Sequence, residues 1–175
     1  QGLYHLNRNL KVVRHYMKEL PCQFITSLAH DLSGNIWIGT DRAGLFSLNM
    51  ANGRCKSASI PDSNIQTIYC DCRNTLWVGT SRRGLFHYRF RENVVNHISG
   101  ASPVSANIYN VKSITTFGRY ELVMGSEMGL VKVNTLTEQM TMFNDGLSYD
   151  NLQDKSIFSI AKDHVGGLWL GTYFS

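Results

Sequence analysis

The sequence predicts an all-β fold, a β-propeller built from four-stranded antiparallel blades, and three observations predict it. The phrase "NIWIGT" at 35–40 returns as "TLWVGT" at 75–80, "ELVMGS" at 121–126 and "GLWLGT" at 167–172. Each copy is preceded by an alternating apolar run, and the first three are followed by another. The 15 glycines against 3 prolines, with 11% aromatic residues, suit many short strands joined by tight turns.

The repeat sets the elements in order. Aligned on the glycine of the phrase, the units centre on Gly39, Gly79, Gly125 and Gly171, spaced 40, 46 and 46 residues apart. The first strand of each unit is "ITSLAHD" (25–31), "IQTIYCD" (65–71), "VKSITTF" (111–117) and "IFSIAKD" (157–163), and period-2 alternation marks each as a strand. The repeated phrase is the second strand. The third is "GLFSLN", "GLFHYRF" or "GLVKVN", and a weaker fourth falls in 54–60, 93–98 and 137–143. The chain opens on "QGLYHLN", which reads as a third strand, with a fourth at about 11–17. The blades are therefore expected at 1–20 (the end of a preceding blade), 21–60, 61–98, 99–143 (degenerate) and 144–175 (the first half of a further one). About four blades are present, expected to belong to a larger propeller. The alternative is that the two half blades pair, within one chain or between two, and exposed strand edges of this kind invite self-association.

Trp37, Trp77 and Trp169 are expected to be structural, each filling the wedge between neighbouring blades and burying about 150–250 Å². The glycine two residues on allows close backbone approach or a sharp exit, and Gly44, Gly84 and Gly129 are expected at positive φ. Val123 stands where the third unit should have Trp, so that wedge is expected to be less well filled. Asp31 and Asp163 precede Gly34 and Gly166 by three residues and suit capping of the hairpin turn.

Composition excludes several function classes. The chain is 43% apolar and 17% charged over 175 residues, enough to bury a core and too apolar for disorder. The net charge of +4 comes from scattered basic residues apart from Arg82-Arg83 and Arg89-x-Arg91, with no basic stripe, so no nucleic-acid partner is expected. There is no run of 18 apolar residues, and any membrane attachment is expected through other parts of a parent protein. Cys22, Cys55, Cys70 and Cys72 lack zinc spacing and read as small apolar fillers, Cys70 and Cys72 on one face of a strand; a disulfide is open in an oxidising compartment. The six histidines show no paired ligand spacing, so no metal is expected, and no phosphate-binding glycine loop or other cofactor motif is present.

The unit "FNDGLSYDNLQDKSIFSIAKDHVGGLWLGT" at 143–172 resembles the two-component regulator propeller repeat: Phe-x-x-x-x-Gly-Leu is matched loosely, then a strand ends in Asp, then come Gly-x-Leu-Trp-x-Gly-Thr. Three units follow the pattern, and one, at 111–134, has lost it where "FGRYELV" replaces the Asp-to-Trp phrase. The resemblance implies part of a seven-bladed propeller in the periplasmic sensor region of an inner-membrane hybrid two-component histidine kinase of Bacteroides type, often sensing oligosaccharides. It implies no enzyme activity within this chain.

Binding residues concentrate on loops held by a rigid frame. The loops after the second strands and those between blades fall at one end, which nominates Arg42, Arg82, Arg83 and Glu127 to bond hydroxyls or an acidic sugar, and Tyr109, Tyr149 and Tyr173 to stack on sugar rings. Two other readings stand beside a ligand sensor that signals through dimer rearrangement. A carbohydrate-active lyase or hydrolase would need converging carboxylates, and the 13 acidic residues nominate no pair. A scaffold for protein partners would bind no saccharide at all.

Overall fold

The computed structural model describes residues 2–18, 20, 24–90, 92, 94–98, 108–143 and 156–173. The described residues hold strands and no helix, and so no helix long and apolar enough to cross a membrane. A hairpin of β1 (Leu3–Leu6) and β2 (Val12–Tyr16) comes first. Three four-stranded antiparallel blades follow. The first is β3 (Ile25–His30), β4 (Asn35–Thr40), β5 (Leu45–Asn49) and β6 (Cys55–Ala58). The second is β7 (Ile65–Cys70), β8 (Thr75–Thr80), β9 (Leu85–Arg89) and β10 (Val94–His97). The third is β11 (Ser113–Gly118), β12 (Glu121–Ser126), β13 (Gly129–Asn134) and β14 (Met140–Met142). A second hairpin, β15 (Ile157–Lys162) with β16 (Leu168–Thr172), closes the order. Strands pair in sequence order within each blade, and the two hairpins are separate two-stranded sheets.

Neighbouring blades meet mainly through their first strands, β3 on β7, β7 on β11 and β11 on β15. Sheet faces stack as well, so a middle strand is covered on both sides. All six residues of β8 are buried. Leu76 and Val78 pack toward the first blade with Trp37 and Phe86, while Trp77 packs toward the third with Leu122 and Met124. Strict alternation of side chains thus links each blade to both neighbours.

The glycine of the repeated phrase marks close approach. A Cβ on Gly39 would sit 2.7 Å from Ile65, one on Gly79 2.7 Å from Val111, and one on Gly125 2.7 Å from Ile157. In each case the obstacle is the first strand of the next blade; at Gly171 it is Ser159 of its own hairpin. The glycines opening the third strands, Gly44, Gly84 and Gly129, have φ of 87°, 71° and 119°.

Each Asp of the unit does more than cap a turn. Asp31 Oδ1 accepts from the Ser33 and Asn35 amides at 2.9 Å, and its Oδ2 accepts from Trp37 Nε1 at 2.9 Å. Asp71 repeats this with Arg73, Thr75 and Trp77, and Asp163 with Val165, Gly167 and Trp169. The carboxylate ties the turn to the wedge tryptophan. Burial pushes the Asp31 carboxyl up, but bonds from Asn35, Trp37 and Ser33 outweigh it and hold it below the ordinary value.

Three expectations need correction. Trp169 is 70% exposed, against 4% for Trp37 and 0% for Trp77, because among the described residues no sheet lies on its outer face. Val123 leaves no gap: it is fully buried with Leu130 and Ile157, and Phe117 and Phe143 fill the wedge as an edge-to-face pair with centroids 6.2 Å apart. Phe117 occupies the place of the Asp, so a packed ring replaces the Asp–Trp bond. Cys72 is in the turn after β7 and not on the strand with Cys70. Both are free thiols, and burial, with Asp71 and Asp31 nearby, raises Cys70 to about 11; Cys22 is outside the described residues.

Candidate functional site

The register sets which residues meet at each end of the blades. Ile25 pairs with Thr40, Ile65 with Thr80 and Ile157 with Thr172, so each first strand begins beside the loop that follows the second strand. One residue beyond, the register slips: β3 bulges between Ile25 and Ser27, β7 between Ile65 and Thr67, and β15 between Ile157 and Ser159. Bulges re-aim a side chain. The residues set apart in this way are Thr26, Gln66 and Phe158, and the Gly125–Ser113 pair places Lys112 at the same position of the third blade.

These four positions lie at the starts of successive inner strands, and Gln66, Lys112 and Phe158 touch in series. Thr26 Oγ1 donates to the Ile65 carbonyl at 2.6 Å. Lys112 Nζ donates to Gln66 Oε1 at 3.4 Å and stands 5.1 Å from the centre of the Phe158 ring, a cation–π distance. Phe158 in turn stacks on Tyr173, with centroids 5.1 Å apart and planes 23° from parallel. A cation, an amide, a hydroxyl and a two-ring platform therefore converge at the inner mouth of the blades.

The described residues among those nominated from sequence lie at this same end, but only some join the cluster. Tyr173 does, through Phe158. Glu127 accepts from the Asn110 side chain just ahead of Lys112 in the chain. Arg42 is on the rim, exposed, at φ 72° and 3.8 Å from Asp41. Arg82 donates its amide to the buried Asp62 at 3.1 Å, and the Arg83 carbonyl is 2.7 Å from His97 Nε2, so their backbones brace the loop while their side chains point outward. Tyr109 is half exposed on the segment before β11. Tyr149 lies outside the described residues.

Two cavities open at the opposite end. One of about 620 Å³ is lined by Ser33, Asn74, Arg89 and Phe90, and one of about 270 Å³ by Tyr69, Thr116, Arg119 and Glu121. The smaller has a local cause: the third blade turns from Gly118 to Glu121 through two residues, where the second spends four between Cys70 and Thr75. Charged groups there are largely engaged with protein. Arg73 Nη2 donates to the Thr135 carbonyl at 2.6 Å, Arg89 Nη2 to Glu138 at 2.6 Å, and Glu121 pairs with Lys132 at 3.0 Å.

The profile of the family Two component regulator propeller matches residues 151–174. The match covers one repeat near the end of the chain. Its fold recurs in the extracellular domain of BT3049 from B. thetaiotaomicron, designated a hybrid two component system, with TM-score 0.79 and 22% identity over 98% of this chain and 22% of that one. The extracellular domain of BT4673 from the same organism, also designated a hybrid two component system, gives TM-score 0.69 and 21% identity over 90% and 21% of the two chains. PorZ of Porphyromonas gingivalis, an essential surface component of the type-IX secretion system, gives 0.69 and 14% over 97% and 28%. At these identities the likeness is one of fold. This chain spans 22%, 21% and 28% of those three solved chains. No curated protein matches the chain.

Proposed function

We propose that these blades belong to the extracytoplasmic, periplasmic ligand-sensing region of a hybrid two-component histidine kinase, and that the ligand is an oligosaccharide taken at the inner mouth. The convergence of Lys112, Gln66, Phe158 and Tyr173 carries the reading. Stacked rings offer an apolar face to a sugar, and polar groups beside them fix its orientation. The repeat match and the likeness to extracellular domains support the sensor context. Signalling follows by differential affinity: a ligand held across two blades shifts the equilibrium between two arrangements of a dimer only insofar as it binds one of them better.

Binding fits the described carboxylates better than catalysis. Asp31, Asp71 and Asp163 hold turns and tryptophans, Asp62 holds a loop, and Glu121 and Glu138 sit in ion pairs. The test is calorimetric titration of the chain with a panel of neutral and acidic oligosaccharides. The expected result is saturable binding that Phe158→Ala weakens at least tenfold while Arg42→Ala changes little. Absence of binding across the panel, or binding indifferent to Phe158, would remove the oligosaccharide reading.

A further inference from the structure

We propose that the inner mouth is an anion site, with Lys112 as the specificity-determining residue and Phe158 and Tyr173 as the platform for the ring that bears the anion. The ligand class is then a carboxylate or sulfate attached to a ring with an apolar face, and not a neutral saccharide. This rests on the inner mouth being the ligand face and adds the charge of what it takes.

Lys112 is unlike its counterparts. At the equivalent positions of the other blades stand Thr26, Gln66 and Phe158, none of them charged. Two other lysines within the blades are firmly partnered: Lys132 Nζ is 3.0 Å from Glu121, and Lys162 Nζ donates to the Phe117 carbonyl at 2.7 Å. Lys112 is half-buried, and no described carboxylate lies within ion-pairing distance of it. Its single protein acceptor, Gln66 Oε1, is at a long 3.4 Å, leaving two of its three N–H donors without an acceptor among the described residues. The Phe158 ring face offsets only part of the charge. A half-buried cation that has no counter-charge among the described residues is stabilised most by an added anion.

Geometry adds the second half of the recognition. The ammonium is over Phe158, and Phe158 is stacked on Tyr173, so an anion that reaches Lys112 carries its ring onto the exposed part of the aromatic pair. Phe158 stands at the β15 bulge and Lys112 directly before β11, and β11 packs on β15, a frame that presents both side by side. Hexuronates and aromatic acids share this chemistry.

Calorimetric titration with three probes separates the possibilities: a digalacturonate, the same disaccharide as its neutral methyl ester, and benzoate. The chain is compared with Lys112→Gln, Lys112→Arg and Phe158→Ala, with circular dichroism confirming that each folds. The expected result is binding of digalacturonate at least tenfold tighter than of its ester, a preference that Lys112→Gln abolishes, Lys112→Arg keeps, and added salt weakens. Binding of benzoate alone, lost in Lys112→Gln, would uphold the anion site while removing the oligosaccharide reading. Equal binding of acid and ester, unaffected by Lys112→Gln, would overturn the anion site while leaving the saccharide sensor standing. No binding of any probe would overturn both.

Discussion

The Asp–Trp bond shows how much one side chain can organise. Asp71 accepts from two backbone amides and from the buried indole of Trp77, so Asp71→Ala would strand three donors. A loss of about 3 kcal/mol in urea unfolding is expected; Asp163→Ala, whose bonds are at the surface, should cost measurably less. A second residue-scale prediction concerns His87. It is 1% exposed on β9, with Nε2 3.5 Å from Glu138 Oε1 and no hydrogen bond, while Arg89 takes that same oxygen. Glu138 stands at φ 60° at the hairpin position that Gly53 holds in the first blade, a conformation unusual for a side chain of this kind. Burial lowers the His87 pKa, Glu138 and Glu92 act against it, and Arg89 and Arg73 reinforce it. Above the unfolded value of about 6.5 both states are neutral there. As pH falls through 6.5 the unfolded chain takes up the proton first, so stability drops until the lower folded value is passed. Thermal melts between pH 7 and 5 should therefore show a fall in Tm that His87→Gln reduces; parallel curves would contradict it. None of this was legible in "GLFHYRF", where the histidine is one letter in a strand and its partner lies on the next blade.

At the scale of elements, blades are locked by contacts that tolerate little added volume. Gly79→Ala places a methyl 2.7 Å from the Val111 side chain at the junction of the second and third blades, and a destabilisation of about 1–3 kcal/mol is expected in denaturant titration. The third blade offers a sharper case. Restoring the repeat by Val123→Trp would force a large ring into space already filled by Phe117 and Phe143, so it should destabilise the chain and not repair it. A rise in Tm would show that wedge to be underfilled after all. The strands themselves were readable, since period-2 alternation and the returning glycine gave every blade its members. The compensation in the third blade was not, because Phe117 and Phe143 are 26 residues apart and only the closed hairpins bring them together. The bulge cluster was hidden for a related reason. Thr26, Gln66, Lys112 and Phe158 share a position but no chemistry, so nothing repeats for the eye to align.

The whole molecule is a short arc of blades with an inner mouth, a loop-bearing end and a turn end. Its two hairpins are unpaired with each other, and apolar side chains on them are exposed, among them Val12, Val13, Val165 and Trp169. Light scattering should show the 175-residue chain associating as concentration rises, and Trp169→Lys should shift the mass toward the monomer. Of the residues nominated from sequence, Tyr173 and Glu127 lie at or beside the cluster. Lys112 and Phe158 were missed because both fall in runs read as first strands, which periodicity assigns to the core before any other role is considered. The most direct test of the account is hydrogen exchange of the chain with and without digalacturonate, read peptide by peptide. Slowed exchange confined to the starts of the inner strands, around 65–67, 111–113 and 157–159, is the predicted result. Protection at the turn end instead, around 71–75 and 117–121, would place the site in the opposite cavities and contradict it.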